Sequence, residues 1–556
     1  MIAVSLIINI TLLLLLVGYC TTGFQNVKIS GIRSRYFILA CFAFLLFNKL
    51  PALLKNRVID PDEAFNLAEG MALMHVDPVL WRSIDFFTIG PIHIYHFIIP
   101  HLLGFAGDYT NARLVWFVLT LFTSFFIFKA LGYAYHSAVR NLAFLYPFLV
   151  YAFGNSSSFN SFNNEATSNL LLAAGVMILF KKMKDRDQGF TMDGLFYFLL
   201  GMVPYCKLQS APLAVAMVLC FFIIRIGEFR SKEAGYILKA FLSGTLPSLV
   251  LGIYLLYYGQ VNNFLNFYLI SNLGYGQDFP IISKILTTFL VRSVSDMPIN
   301  YFLKHVYVLV FVLILVLAFA RKFKDKTINI MLFLFVVTMY SVAKPGFNYG
   351  HYFTYLYITL PFGLAILWKE VHALEAKKRY FFILPYVVLI IALSFYNLKL
   401  YVDDKIYDKL PEEMAGFSSS EVEPSKAAGE LISLKEQLGY QPTMTIFDWY
   451  PQIYIESGIF QGTHQNIPER LFGFQASEKE VTAFSRKIFL EDLKKNRPEF
   501  ILVAITTERS YYDYTYANFH RLPKIKSYFD ANYFFYKTSD NTDIFIRNDL
   551  KSRLKL

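Results

Sequence analysis

Long apolar blocks separated by short polar breaks fill the first 400 residues of this chain, and a mixed, alternating pattern fills the rest. A membrane span needs roughly 20 mostly apolar residues. On that measure the pattern predicts spans near 2–19, 36–54, 113–133, 141–154, 166–181, 193–206, 210–226, 236–258, 302–320, 327–343, 351–369 and 380–398, of which 141–154 is short. The block at 2–19 has no basic segment before it and no small-residue cleavage site after it, so it reads as a span and not as a signal peptide. One further apolar segment, "IGPIHIYHFIIPHLLGFAG" at 89–107, contains two prolines and three histidines. It reads as a helix at the membrane surface or dipping in and out.

Basic residues fix an orientation for these spans. They cluster as Lys28, Arg33 and Arg35, Arg140, "KKMKDR" (181–186), Arg230 and Lys232, "RKFKDK" (321–326) and "KKR" (377–379). With all of them cytoplasmic, both termini fall outside, provided 89–107 does not cross. The first outer loop near 55–112, "NSSSFNSFNNE" (155–165), Lys207, the 259–300 loop and "KPGFNYGHY" (344–352) then share the outer side. The segment 401–556 joins them there as a separate domain. Its patterns predict strands at 443–449, 499–505 and 541–548, a short helix in "PQIYIESG" and an amphipathic helix at 477–496, hence an α/β fold.

Composition agrees. Of the 556 residues 55% are hydrophobic, 18% aromatic and only 17% charged, against about 25% charged in soluble domains. The net charge of +11 does not indicate nucleic acid, because the Lys and Arg residues sit in topogenic clusters between apolar blocks. Cys20, Cys41, Cys206 and Cys220 lie in or beside apolar segments, with no metal-ligand spacing and no disulfide framework. His93, His96 and His101, with a proline among them, have poor ligand geometry, so no metal site is assigned.

The stretch "VIDPDEAF" at 58–65 carries the candidate chemistry. Asp60 suits an N-cap, Pro61 the first helical position, and Glu63 the acidic place of a capping box. Those rules leave Asp62 unexplained. Ala64, Leu67, Ala68, Met71 and Met74 recur at helical spacing, which predicts a helix lying along the membrane surface. A carboxylate held there is suited to take a proton from a hydroxyl during group transfer.

From here the sequence resembles a family, the polyprenyl-phosphate-dependent GT-C glycosyltransferases, which include bacterial aminoarabinose transferases and protein O-mannosyltransferases. "DPDEAFNLAEGMAL" resembles their first-loop motif, where an aspartate followed by glutamate opens a juxtamembrane helix and the aspartate is the proposed base; the matching residues are Asp62 and Glu63. "GPIHIYHFIIPHLLGFAGDYTNARL" resembles their surface helix followed by Ala-Arg-Leu, which matches Arg113. "NNEATSNLLLAAGVMILF" places Glu165 in an acidic position before a span, and "YCKLQSAPLAV" places Lys207 in a turn between spans. "KPGFNYGHYFTYLYITLPFGLAIL" matches Lys344, His351 and Tyr352, and "DWYPQIYIESG" and "PERLFGF" resemble the outer domain of many bacterial members. The surface segment begins Ile89-Gly90-Pro91 where many relatives have Lys-Pro-Pro, so a phosphate-binding lysine is missing there or supplied from elsewhere.

The resemblance implies a polytopic α-helical membrane enzyme of GT-C type, with about 12 spans in residues 1–400 and a C-terminal extracytoplasmic α/β domain in 401–556, placed in a bacterial inner membrane and acting on the cell envelope. Its donor is a sugar on a polyprenyl phosphate, and its acceptor is a hydroxyl on a lipid, glycan or protein. Asp62 and Glu63 are the catalytic candidates; Arg113, Glu165, Lys207, Lys344, His351 and Tyr352 are the substrate-binding ones. No cofactor is assigned, and a divalent cation is left open. Two other readings stand beside this one: a transporter or flippase of lipid-linked glycans, and a related glycan ligase or polymerase. Ionisable residues concentrated at span ends and in outer loops favour surface chemistry over a mid-span path.

Overall fold

The computed structural model describes residues 2–25, 34–87, 89–154, 156–185, 190–226, 233–276, 279–291, 298–403, 422, 424–472, 479–508 and 513–554. Helices occupy every one of the twelve expected spans. Among the described residues, nine are long and apolar enough to cross a membrane. The remaining three are Ser137–Phe153, Phe190–Met202 and Leu356–His372, of 17, 13 and 17 residues. The segment expected at the membrane surface holds an 8-residue helix, Tyr95–Leu102, about 12 Å long and too short to span. The protein is an integral membrane protein.

The chain divides into two compact units. The first comprises Met1–Leu54, Arg113–Val250 and Gln277–Ala415. At its centre lies the Ser137–Phe153 helix, buried along nearly its whole length. It packs against Ile2–Gln25, Ser34–Leu54, Leu356–His372 and Ala376–Asp403. Inside it, the Tyr386 hydroxyl donates to the Leu142 carbonyl (2.5 Å) and accepts from the Tyr146 N–H (3.2 Å). These two backbone groups would otherwise pair within the helix, and such an insertion bends one.

The second unit comprises Lys55–Ala112, Leu251–Gly276 and Gly416–Leu556. It contains a five-stranded sheet of order β2-β1-β3-β5-β4, with β1 Thr443–Phe447, β2 Phe460–Gln461, β3 Phe500–Ala504, β4 Tyr533–Ser539 and β5 Thr542–Arg547. β1 runs parallel to β2 and β3, and β5 runs antiparallel to β3 and β4. The expected strands correspond to β1, β3 and β5, and the expected helices to Gln452–Ser457 and Lys479–Asn496. The β4–β5 turn places Asp540 and Asn541 at φ 49° and 61°, the left-handed pair that a two-residue hairpin requires. Phe447, Phe489, Leu493, Ile501, Val503, Phe519 and Phe529 form the core beneath the sheet.

Candidate active site

The DPDE stretch folds as its local signals require. Pro61–His75 is a helix with Asp60 as N-cap, and the Asp60 carboxylate accepts from the Asp62 N–H at 3.0 Å. Pro61 takes the first position, where a missing N–H costs nothing. Glu63 is fully buried, whereas Asp62 is half-buried. Every residue from Glu63 to Gly70 is buried, so the polar side of the helix is enclosed as well as the apolar side. Distant segments of the same unit enclose it: Asn466 donates to the Phe65 carbonyl (3.3 Å), and the His75 ring stacks on Phe460 with centroids 4.7 Å apart.

The enclosed polar side meets an ion pair that sequence reading passed over. Arg470 bonds the Asp85 carboxylate (2.7 Å) and the Asp85 carbonyl (3.2 Å), and it also donates to the carbonyls of Phe87 and of Phe267 (2.6 Å). The guanidinium lies 5.0 Å from the Phe87 ring centroid and 5.6 Å from that of Phe267. Nearby, Glu69 accepts from the Phe86 N–H at 3.0 Å. Burial, and secondarily the Asp85 charge, holds the Glu69 carboxyl well above the usual carboxylate range. Trp81, Phe86 and Phe87 have φ of 61°, 57° and 33°, strained positions for bulky residues that cost about 1–3 kcal/mol each. The "PERLFGF" motif contained Arg470, but neither periodicity nor charge distinguished it from a surface arginine.

The histidines of the surface segment separate. His93 is buried, burial lowers His96 to about 4, and His101 lies 5.4 Å from the His75 ring. Among the described residues no group of three or more His, Cys, Asp or Glu side chains is placed to hold an ion.

In the first unit, four of the six binding candidates come together. Lys207 is ion-paired with Glu165, both buried, and its ammonium lies 4.9 Å from the Tyr352 ring centroid. The His351 ring meets Tyr352 at 4.6 Å. Hydrogen bonds lock this arrangement: Ser168 with the Tyr355 hydroxyl (3.1 Å), Asn169 to Thr354 (3.0 Å), and Thr354 to the His351 carbonyl (2.6 Å). Arg113, the fifth residue of the Tyr109–Ala134 helix, is fully buried and donates to the Ala52 carbonyl at 3.2 Å. Lys344 ends the Lys326–Ala343 helix half-buried, and its carbonyl accepts from Lys284 (3.0 Å).

One cation was missed. Lys49 lies inside the Ser34–Leu54 span, fully buried, and donates to the Gly154 carbonyl (2.5 Å) and to Asn160 (2.9 Å). It sits 5.9 Å from the Trp116 ring, one turn beyond Arg113. An ionisable residue inside a span signals function by default, and Lys49 was readable on that rule. Lys49, Arg113 and Lys207 are thus three buried cations of the first unit, and Lys207 has Glu165 as its carboxylate partner.

These helices and the appended small sheet define a polytopic membrane protein of the GT-C fold. The chain is similar to the crystal structure of ArnT from Cupriavidus metallidurans bound to undecaprenyl phosphate, at 9% identity and a TM-score of 0.52, covering 92% of this chain and 97% of that one. The apo state of the same protein gives 10% identity and a TM-score of 0.52, over 92% and 98% of the two chains. The oligosaccharyltransferase of Archaeoglobus fulgidus aligns at 11% identity with a TM-score of 0.48, over 92% and 74%. No family model matches the chain, and no curated protein matches its sequence.

Proposed function

We propose that this protein is an integral-membrane glycosyltransferase that moves a sugar from a polyprenyl-phosphate carrier to an acceptor hydroxyl. The observation that carries the reading is the presence of three buried cations, Lys49, Arg113 and Lys207, in one unit of a GT-C fold. Buried cations of this kind are suited to an anion, and guanidinium matches phosphate oxygens with two bonds. The ArnT structure with undecaprenyl phosphate supports a lipid phosphate as that anion.

In this reading Asp62 accepts the proton of the acceptor hydroxyl, whose oxygen forms a bond to the anomeric carbon. The bond from that carbon to the carrier phosphate breaks, and polyprenyl phosphate departs with one additional negative charge. Lys49, Arg113 and Lys207 meet that charge, which grows toward the transition state. Lys49 supplies the cation that the Ile89-Gly90-Pro91 sequence lacks. Glu165 orients Lys207, His351 and Tyr352 wall the lysine, Lys344 adds a cation near the sugar or phosphate, and Glu63 fixes the helix start. Direct displacement inverts the anomeric centre. Half-burial supports Asp62 over the fully buried Glu63 as the group that reaches substrate. A divalent cation is assigned no ligands and is varied in the assay. The reading places the enzyme in a bacterial inner membrane with Asp62 and the small-sheet domain on the extracytoplasmic side.

The test uses purified protein, a polyprenyl-phosphate sugar and candidate lipid, glycan and protein acceptors, with release of polyprenyl phosphate as the signal. Asp62→Asn is expected to lower turnover by about 10²–10⁴-fold, the usual contribution of general-base catalysis, with melting unchanged. Unimpaired turnover in that variant removes Asp62 from the role. A topology reporter near residue 60 that reads cytoplasmic overturns the placement.

A further inference from the structure

The helix ends carrying the basic clusters enclose a recess that the proposed reaction does not use. The Tyr109–Ala134, Glu165–Lys184 and Leu356–His372 helices finish here, and Lys326–Ala343 begins here. Between them lies a cavity of about 240 Å³, several times the ~30 Å³ that one water occupies. All of its lining belongs to the first unit.

Its charges are unequally committed. Arg321 is held by two acids, Asp325 at 3.0 Å and Glu370 at 2.6 Å. Lys184 and Lys369, both exposed, also line the cavity, and among the described residues no carboxylate holds either. The lining therefore has one net positive charge. The Lys184 ammonium lies 5.9 Å from the Tyr133 ring. The Tyr135 hydroxyl also lines the recess, buried and without a hydrogen-bond partner among the described residues. Phe180, Ile328 and Ile366 supply an apolar wall.

Two ordinary explanations cover the lysines alone. Cations suit helix C-termini, and basic residues set topology. Neither accounts for a recess of this size with an apolar wall and, on the lining residue Tyr135, a buried hydroxyl without a hydrogen-bond partner among the described residues. A buried donor without a partner is costly, and an acceptor seated in the cavity would offset that cost.

We propose that this recess binds the phosphodiester headgroup of an anionic glycerophospholipid. Its single negative charge matches the lining, with phosphate oxygens taken by Lys184, Lys369 and the Tyr135 hydroxyl, and the glycerol and first acyl carbons against Phe180, Ile328 and Ile366. Basic recesses between helices at the cytoplasmic membrane surface favour anionic lipids. The site is separate from the proposed transfer reaction and does not depend on it.

The full-length protein is reconstituted in nanodiscs of equal phosphatidylglycerol and phosphatidylcholine, and retained lipid is measured by native mass spectrometry. Phosphatidylglycerol is expected to be enriched several-fold, and the double variant Lys184→Gln/Lys369→Gln to lose that enrichment. Tyr135→Phe, which keeps the packing, is expected to reduce it about two- to tenfold, the range of one hydrogen bond of ~0.5–1.5 kcal/mol. Melting and gel filtration check folding, and if the double variant does not fold, Tyr135→Phe alone decides. Equal retention of both lipids, or enrichment unchanged in a folded variant, overturns the proposal. Displacement of the bound lipid by millimolar inorganic phosphate assigns the recess to a soluble anion and overturns the lipid.

Discussion

Arg470 and Lys49 are both buried cations, 2% and 0% exposed, yet their surroundings differ. The two terminal nitrogens of Arg470 reach a carboxylate and three backbone carbonyls on two other stretches of its unit, around 85–87 and at 267. Its charge is neutralised where it lies, and its work is to tie those stretches together. Lys49 bonds one carbonyl and one amide oxygen, both uncharged. Desolvating a charge without a bonded counter-ion is costly, and among the described residues no carboxylate bonds Lys49, so an arriving anion would favour its charged form. Burial alone therefore does not separate these two cations; the bonded counter-charge does.

The comparison can be broken in four ways. Arg470→Met leaves Asp85 buried and unpaired, and it is expected to cost ~3–5 kcal/mol of stability, seen as a lowered melting temperature or failure to express. Wild-type melting in that variant breaks the strap assignment. Lys49→Met should leave melting nearly intact and weaken binding of the polyprenyl-phosphate donor by about 10- to 150-fold, since hydrogen bonds to charged groups contribute ~1.5–3 kcal/mol. Donor titration by fluorescence or calorimetry measures this, and a variant that melts early but binds normally makes Lys49 another strap.

Glu165 and Lys207 sharpen the intermediate case, a functional candidate that already has its counter-ion. A double-mutant cycle with Glu165→Gln and Lys207→Met is expected to give a coupling of ~0.5–3 kcal/mol in donor binding; zero coupling makes the two residues independent. The smallest effect concerns Glu69. Its folded pKa is raised, so its contribution is fully present below the ordinary carboxylate value of about 4.3 and is lost as pH rises toward the folded value. Glu69→Gln removes that loss. Melting curves from pH 4.5 upward should show the variant gaining on wild type, by at most about 1.4 kcal/mol per pH unit; parallel curves contradict the raised pKa.

The polytopic helical architecture was legible because apolar blocks and basic clusters are local signals, and twelve blocks became helices; the GT-C type came from the resemblance of the motifs. The tail was legible where an unbroken apolar run marked a buried strand, as in "EFILVAI", and not at β4, where "YFFYKTS" carries aromatic residues on both faces of an edge strand. The enclosure of the helix after DPDE was not legible, because Glu63, Asn66 and Glu69 look solvent-facing by periodicity. What encloses them lies about 20 and 400 residues away, at Phe86 and Asn466, and periodicity holds no information about such partners. Lys49 was lost inside an apolar window, where averaging hides a single charge.

Tyr386 carries a consequence for biogenesis. Its hydroxyl holds apart Leu142 and Tyr146, residues that precede it by 244 and 240 positions. During synthesis the Ser137–Phe153 helix enters the membrane long before Tyr386 leaves the ribosome, and until then Leu142 and Tyr146 can satisfy each other within the helix. The central helix therefore reaches its final hydrogen bonding only after the Ala376–Asp403 helix arrives, and a nascent chain stopped before residue 386 holds the right spans in an unfinished arrangement.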